Sequence, residues 1–156
     1  MASNLFSDEG KNKISSEGLH GLTQAEWKKK LSALEYDVIF EKGTERPHTD
    51  RLLNNKNKGV YVTKVSRIPV FHSDQKYESG TGWPSFFDVY SKENIKLVED
   101  NTFFMKRTEV QSKFGEHLGH VFEDGPDPTG LRYCINGAAL DFVEQSEFEK
   151  QQGAAK

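Results

Sequence analysis

Three short stretches hold the side chains best suited to chemistry. The first is LRYCINGAAL, residues 131–140, which contains Cys134, the sole cysteine of the chain. A thiolate attacks electrophiles and a thiol does not, so neighbouring positive charge decides how much of the nucleophile exists near neutral pH. In an extended run Arg132 and Asn136, each two residues away, point to the same face as Cys134. Asn136-Gly137 lets the strand turn or bulge just after the cysteine. The local residues leave two readings, a nucleophile or an inert buried thiol.

The second stretch is GEHLGHVF, with His117 and His120 three apart. An uninterrupted strand would send them to opposite faces, but Gly119 permits a bend that gathers both imidazoles. Paired imidazoles can donate a proton or polarise an oxygen. A metal site needs at least a third ligand, and neither a further histidine nor a cysteine stands nearby. The third stretch, SGTGWPSF, sets glycines on both sides of Thr81, and Pro84 restricts Trp83 to an extended backbone. An indole held this way walls an apolar pocket or anchors a loop to the core, and Phe122 fits either use.

These residues need a sheet to carry them. LTQAEWKKKLSALE places Leu22, Trp27, Leu31 and Leu34 near one face, and Thr23 with Glu26 forms a capping box, which predicts one helix of about three turns. From Asp37 onward, short β-rich runs alternate with turn residues: VYVTKV, NIKLVED, TFFMKRTEVQ, HVF, LRYCI and ALDFV. The pattern predicts a mainly β, antiparallel domain. The Gly- and Pro-rich segments SGTGWPSF and EDGPDPTG read as ordered loops at one end of the sheet. Expected bounds are a loose segment over 1–20, one domain over 21–146 and a tail over 147–156 carrying a short helix.

The chain has 156 residues, 21 basic and 24 acidic, for a net charge of −3. Mixed charge of this kind gives no basic footprint for nucleic acid. No apolar run is long enough to span a bilayer and no secretory signal precedes the first helix, so a cytoplasmic, monomeric protein is expected. One cysteine forms neither an internal disulfide nor a multi-thiolate zinc site.

In combination GWPSF, HLGHVF, DGPDPTG and RYCIN, in this order, resemble the B-type methionine sulfoxide reductases, from about Leu34 to Val143. The resemblance implies a β-tent, Mss4-like fold with an N-terminal helix and short flanking helices. It implies reduction of the R epimer of methionine sulfoxide, with Cys134 attacking the sulfur and becoming a sulfenic acid. His117, His120 and Asn136 match the polar residues that hold and protonate the sulfoxide oxygen. Trp83 matches the indole against the substrate methyl, Phe122 a residue that lines the pocket, and Arg132 a cation beside the nucleophile. Methyl on the aromatic side and oxygen on the histidine side admit one epimer, in line with one enzyme type per epimer.

Two departures from the family stand out. Many relatives bind structural zinc through two CxxC pairs, where this chain has Thr63 with Ser66 and Gln111 with Phe114. No zinc and no bound cofactor are expected. Thr81 stands where many relatives have a resolving cysteine, so the Cys134 sulfenic acid must be reset by an outside thiol, thioredoxin or glutathione with glutaredoxin. The rival reading is a non-catalytic binding module that uses its aromatic pocket on the same scaffold. It has no use for a nucleophile. A Cys-His hydrolase ranks last, because it explains neither GWPSF nor the lack of an obvious orienting acid.

Overall fold

A computed structural model describes residues 13–154. The expected single N-terminal helix is two short ones, α1 (Gln24–Lys30) and α2 (Ala33–Glu41). Two capping boxes cause the break. Thr23 caps α1 with Glu26, and Ser32 then caps α2 with Glu35, so the chain leaves the helix at Leu31 and re-enters at Ala33. Leu34 is consequently turned outward and exposed. Helix also extends past Asp37, to Glu41, and buries Val38, Ile39 and Phe40.

Nine strands follow among the described residues: β1 (Gly59–Thr63), β2 (Pro69–His72), β3 (Lys76–Tyr77), β4 (Ser85–Phe86), β5 (Ile95–Asp100), β6 (Arg107–Ser112), β7 (His117–Phe122), β8 (Arg132–Ile135) and β9 (Leu140–Glu144). All pairings are antiparallel, as the short alternating runs imply. A three-stranded sheet has the order β2-β1-β9, and a six-stranded sheet the order β3-β4-β8-β7-β6-β5. Tyr61 and Phe71 of the small sheet meet Phe86 and Tyr133 of the large one. Phe71 stacks on Phe86 with centroids 4.2 Å apart, and Tyr61 meets Phe86 edge-on at 5.1 Å. Each fully buried ring of this kind contributes on the order of 2–3 kcal/mol through lost water contact.

The two Gly- and Pro-rich loops do not share one end of the sheet. Pro84 O accepts from Ile135 N at the C-terminal end of β8, whereas Thr129 hydrogen-bonds to Phe87 O beyond the far end of β4. Because β8 runs antiparallel to β4, the loop before β4 and the loop before β8 flank the pair from opposite ends.

Residues 1–12 of the leading segment lie outside the described residues. Of the remainder, Ile14 and Leu19 pack on the core, Ser15 N donates to Phe114 O at 2.8 Å, and His20 Nε2 donates to Ser66 O at 2.7 Å. At the other terminus α3 (Gln145–Ala154) buries Phe148 in a second cluster with Val60, Val62 and Val143. Among the described residues, no helix is long and apolar enough to cross a membrane.

Candidate active site

One face of the large sheet holds the chemistry. Cys134 on β8 is the register partner of His120 on β7, and Arg132 partners Phe122, so these four side chains share a face. His117 would fall on the opposite face but for an irregularity. Val110 pairs with Gly119 and Gln111 with His117, so Leu118 is an extra residue on β7 and the alternation resets there. The two rings come to 5.8 Å between centroids. Gly119 has a separate duty: a Cβ there would lie 2.1 Å from Cys134 O, so its lack of a side chain permits the close approach of β7 and β8.

A cavity of about 320 Å³ opens on this face. Cys134, His120, Trp83, Phe122, Arg132 and Asn136 all line it, as does Thr81. His117 does not; it is buried behind the lining, 2% exposed. Sequence reading missed two further wall residues, Thr44 and Arg107. A larger, more open groove runs along Leu97, Thr108 and Val121 and shares Arg107 and Phe122 with this cavity, but neither Cys134 nor a histidine lines it.

Two histidine–carboxylate pairs were also invisible in sequence. His120 Nε2 donates to Asp100 Oδ2 at 2.7 Å, and His117 Nδ1 donates to Glu109 Oε2 at 2.7 Å. An ionised carboxylate can only accept, so each partner fixes which ring nitrogen carries the proton. Burial would raise the Asp100 carboxyl, but the Thr102 N–H and the His120 ring overcome it and hold it well below the usual carboxylate range. Arg107 Nη2 adds an ion pair to the same oxygen at 3.3 Å. Burial likewise opposes the ionised form of Glu109, yet hydrogen bonds from His117 and Gln111, with Lys42 at 3.3 Å, keep it low. The His117 Nε2 atom is buried with no hydrogen-bond partner among the described residues.

Opposing effects act on the reacting groups. Burial pushes the Cys134 thiol up and Glu45 adds to this, while Arg132 and the Thr81 hydroxyl pull it down; the net direction is up. Burial pushes His120 down, helped by Arg107 and His117 and resisted by Asp100, with a net lowering. The cavity therefore rests as a protonated thiol beside a neutral imidazole. Arg132 is held by Asp124 through two bonds, at 2.8 and 3.1 Å, and its guanidinium lies 4.4 Å from the Phe122 ring centroid. That clamp presents a cation at the cavity edge, within reach of the Cys134 sulfur.

Trp83 follows Gly80 and Gly82, whose φ values of 79° and 94° carry the loop through left-handed backbone. Its indole Nε1 donates to Glu45 O at 3.0 Å. Asn136 is occupied structurally: Nδ2 donates to Leu118 O at 3.0 Å and Oδ1 accepts from Glu45 N at 2.9 Å.

The positions matched to zinc ligands hold other chemistry. Thr63 Oγ1 and Ser66 Oγ are 2.6 Å apart, and both Ser66 N and Val65 N donate to Glu116 Oε2 at 3.1 Å. Ser66 Oγ and Ser112 Oγ donate to Glu116 Oε1, the latter at 2.8 Å. Gln111 turns the other way, toward Glu109 at 3.0 Å, because alternation along β6 puts it on the cavity side. Phe114 packs near Gly18. Hydroxyls already paired to one carboxylate do not make the thiolate or imidazole set that zinc requires, so these residues do not fit the metal. Among the described residues, no group of three or more His, Cys, Asp or Glu is placed to hold an ion.

Comparison with known proteins gives a consistent answer. Residues 31–144 match the SelR domain family. The chain is 50% identical over 131 residues to a peptide methionine sulfoxide reductase MsrB of Methanosarcina mazei, covering 83% of this chain and 94% of that protein. It is 53% identical over 132 residues to the protein of the same name from Methanosarcina barkeri, covering 84% and 92%. It also matches a peptide methionine sulfoxide reductase MsrA/MsrB of Vibrio cholerae at 50% identity over 123 residues, 78% of this chain and 32% of that longer protein.

Proposed function

The chain belongs to the SelR family, the B-type methionine sulfoxide reductases, and from that footing we propose how its own residues reduce the R epimer of methionine sulfoxide. The observation that carries the reading is the convergence of Cys134, His120 and the rings of Trp83 and Phe122 on one cavity of about 320 Å³. The substrate methyl packs between the rings, and its oxygen faces His120. The sulfur then lies over Cys134.

Chemistry follows from the resting protonation states. His120, neutral and held by Asp100, takes the thiol proton as Cys134 attacks, and delivers it to the sulfoxide oxygen. The S–O bond to the substrate sulfur breaks as a bond from that oxygen to the Cys134 sulfur forms. Thiol plus sulfoxide thus become cysteine sulfenic acid plus methionine, with every atom accounted for. Arg132 supports the transient thiolate, and Asp100 the imidazolium. His117, buried and tied to Glu109, acts from behind the wall by fixing His120's surroundings.

The chain holds one cysteine, so the sulfenic acid is released in two external steps. A first thiol condenses with it, giving a mixed disulfide and water; a second thiol attacks that disulfide and frees Cys134. Thioredoxin, or glutathione followed by glutaredoxin, fits this need, and oxidised proteins are the substrate.

The test is a single turnover without reductant, offering peptide methionine-R-sulfoxide and its S epimer separately and trapping Cys134 with a sulfenic-acid probe. The reading expects about one methionine per chain from the R epimer alone, with a sulfenic acid on Cys134. Absence of reaction with both epimers, or reaction with the S epimer, sinks it.

A further inference from the structure

Glu45 belongs to no helix or strand, yet it is among the most thoroughly buried polar residues, 2% exposed. Every polar group it has is engaged around the cavity. Its N–H donates to Asn136 Oδ1 at 2.9 Å, and its C=O accepts from Trp83 Nε1 at 3.0 Å. Its carboxylate accepts from Gly137 N at 3.1 Å and Ala138 N at 2.9 Å, the turn that follows Asn136. Glu45 itself is not part of the cavity wall, which at this point is Thr44.

Resting on the reading of Trp83 as the substrate's aromatic wall, we propose that Glu45 is a positioning residue. Its carboxylate grips the 137–138 turn, and this holds its own main chain as the dock for the Trp83 indole and the Asn136 amide. One buried side chain thereby sets both the aromatic and the polar side of the cavity. The arrangement is over-determined in a way a merely structural carboxylate need not be. Trp83 and Asn136 lie on separate elements, 53 residues apart by their numbers, and both hydrogen-bond to this single residue.

The clamp is also sensitive to protons. Burial first, and then the neighbouring Asp50, push the Glu45 carboxyl up to about 7, against the pull of the Ala138 and Gly137 N–H groups. When ionised, both oxygens accept strongly; when protonated, one oxygen carries a proton and holds its N–H partner more weakly. The charged and titratable neighbours are Asp50 in the turn before Leu52 and Cys134 on β8; His48 packs instead against Gly82, beside Trp83. For stability the sign is opposite. A carboxyl raised above its ordinary 4.5 favours the fold fully below that value, and the contribution is lost as pH rises through about 7. Ionisation tightens the cavity while it lowers net stability.

Trp83 is the reporter. The chain has two tryptophans, so Trp27→Phe leaves Trp83 as the sole indole. In that background its emission should shift with a midpoint near 7, and in Glu45→Gln the shift should vanish. Glu45→Gln should also raise KM for a methionine-R-sulfoxide peptide on the order of tenfold, with kcat changed by less than about twofold. A shift that survives Glu45→Gln, or that is abolished instead by His48→Gln, overturns the proposal, as does an unchanged KM. If Glu45→Gln does not fold, the titration with Glu45 intact decides: a flat emission between about pH 6 and 8 overturns it. Loss of the enzymatic reading would look different, with neither epimer reduced while the titration persisted.

Discussion

Asp100 Oδ2 and His120 Nε2 stand 2.7 Å apart although β6 lies between their strands. The carboxylate is anchored from elsewhere, by Thr102 N at 3.0 Å and Arg107 at 3.3 Å, so it orients the imidazole and is not oriented by it. Asp100→Asn removes what raises His120 while burial, Arg107 and His117 still lower it. His120 should then titrate at lower pH, and kcat/KM should fall on the order of 10². A pH–rate profile of the chemical step checks both; an unmoved acid limb would refute the assigned role. The same change should flatten the acid loss of stability, because a depressed carboxyl contributes fully above 3.8 and loses that contribution as pH falls toward its folded value.

The rate at which Cys134 alkylates reports the balance around the sulfur. Arg132 and then Thr81 are the groups that lower a thiol raised by burial. Arg132→Met should therefore raise the midpoint of iodoacetamide labelling and slow labelling at pH 8 by roughly tenfold. Thr81→Val should act in the same direction with a smaller effect, and Thr81→Ser should restore the parent rate. Equal labelling of all variants would mean that neither group reaches the sulfur. Cys134→Ser should abolish sulfoxide reduction while leaving the melting temperature near that of the parent.

Glu109 is bound by His117, Gln111 and Lys42 inside the wall of the cavity. Glu109→Ala removes the acceptor of the buried His117 Nδ1 and should cost about 2–4 kcal/mol in denaturant unfolding. Glu109→Gln keeps the volume and should preserve most of the stability while lowering kcat on the order of tenfold, since His117 loses the anion that fixes its tautomer. Imidazole nitrogen shifts by NMR check the assignment in the parent: a His117 whose Nδ1 carries no proton contradicts it.

How much of this was legible beforehand depends on distance along the chain. Cys134, Arg132 and Asn136 sit within five residues, so strand alternation alone put them on one face. Trp83 was marked by the glycines and proline around it. Asp100, Glu109 and Glu45 were not legible, because acidic residues are common in this chain and nothing local distinguishes these three from the other 21. Their roles arise from contacts between distant parts of the chain, across 20 residues for His120 and eight for His117 through sheet register, and across 91 for Asn136 through a loop that packs on the cavity. The bend at the histidines was expected from Gly119, but the extra residue that reunites the rings is Leu118, and Gly119 instead permits close strand approach. The split of the first helix was there to be read, since Ser32 and Glu35 repeat the capping spacing of Thr23 and Glu26.

Glu116 binds Ser66, one of the positions that the sequence resemblance matches to zinc ligands. It is fully buried and accepts from Val65 N, Ser66 N, Ser66 Oγ and Ser112 Oγ, so one carboxylate joins the turn after β1 to the turn between β6 and β7. Cross-linking by hydrogen bonds makes two predictions that cross-linking by metal would reverse. Glu116→Ala orphans four donors and should lower unfolding free energy by about 3–5 kcal/mol, without change in the metal content of the protein. A strong chelator should leave the melting temperature of the parent unmoved, whereas a zinc-held fold loses stability when its metal is withdrawn. Melting curves with and without chelator, run beside elemental analysis, check this directly: a chelator-induced drop in the parent would place a metal where these residues bind one another.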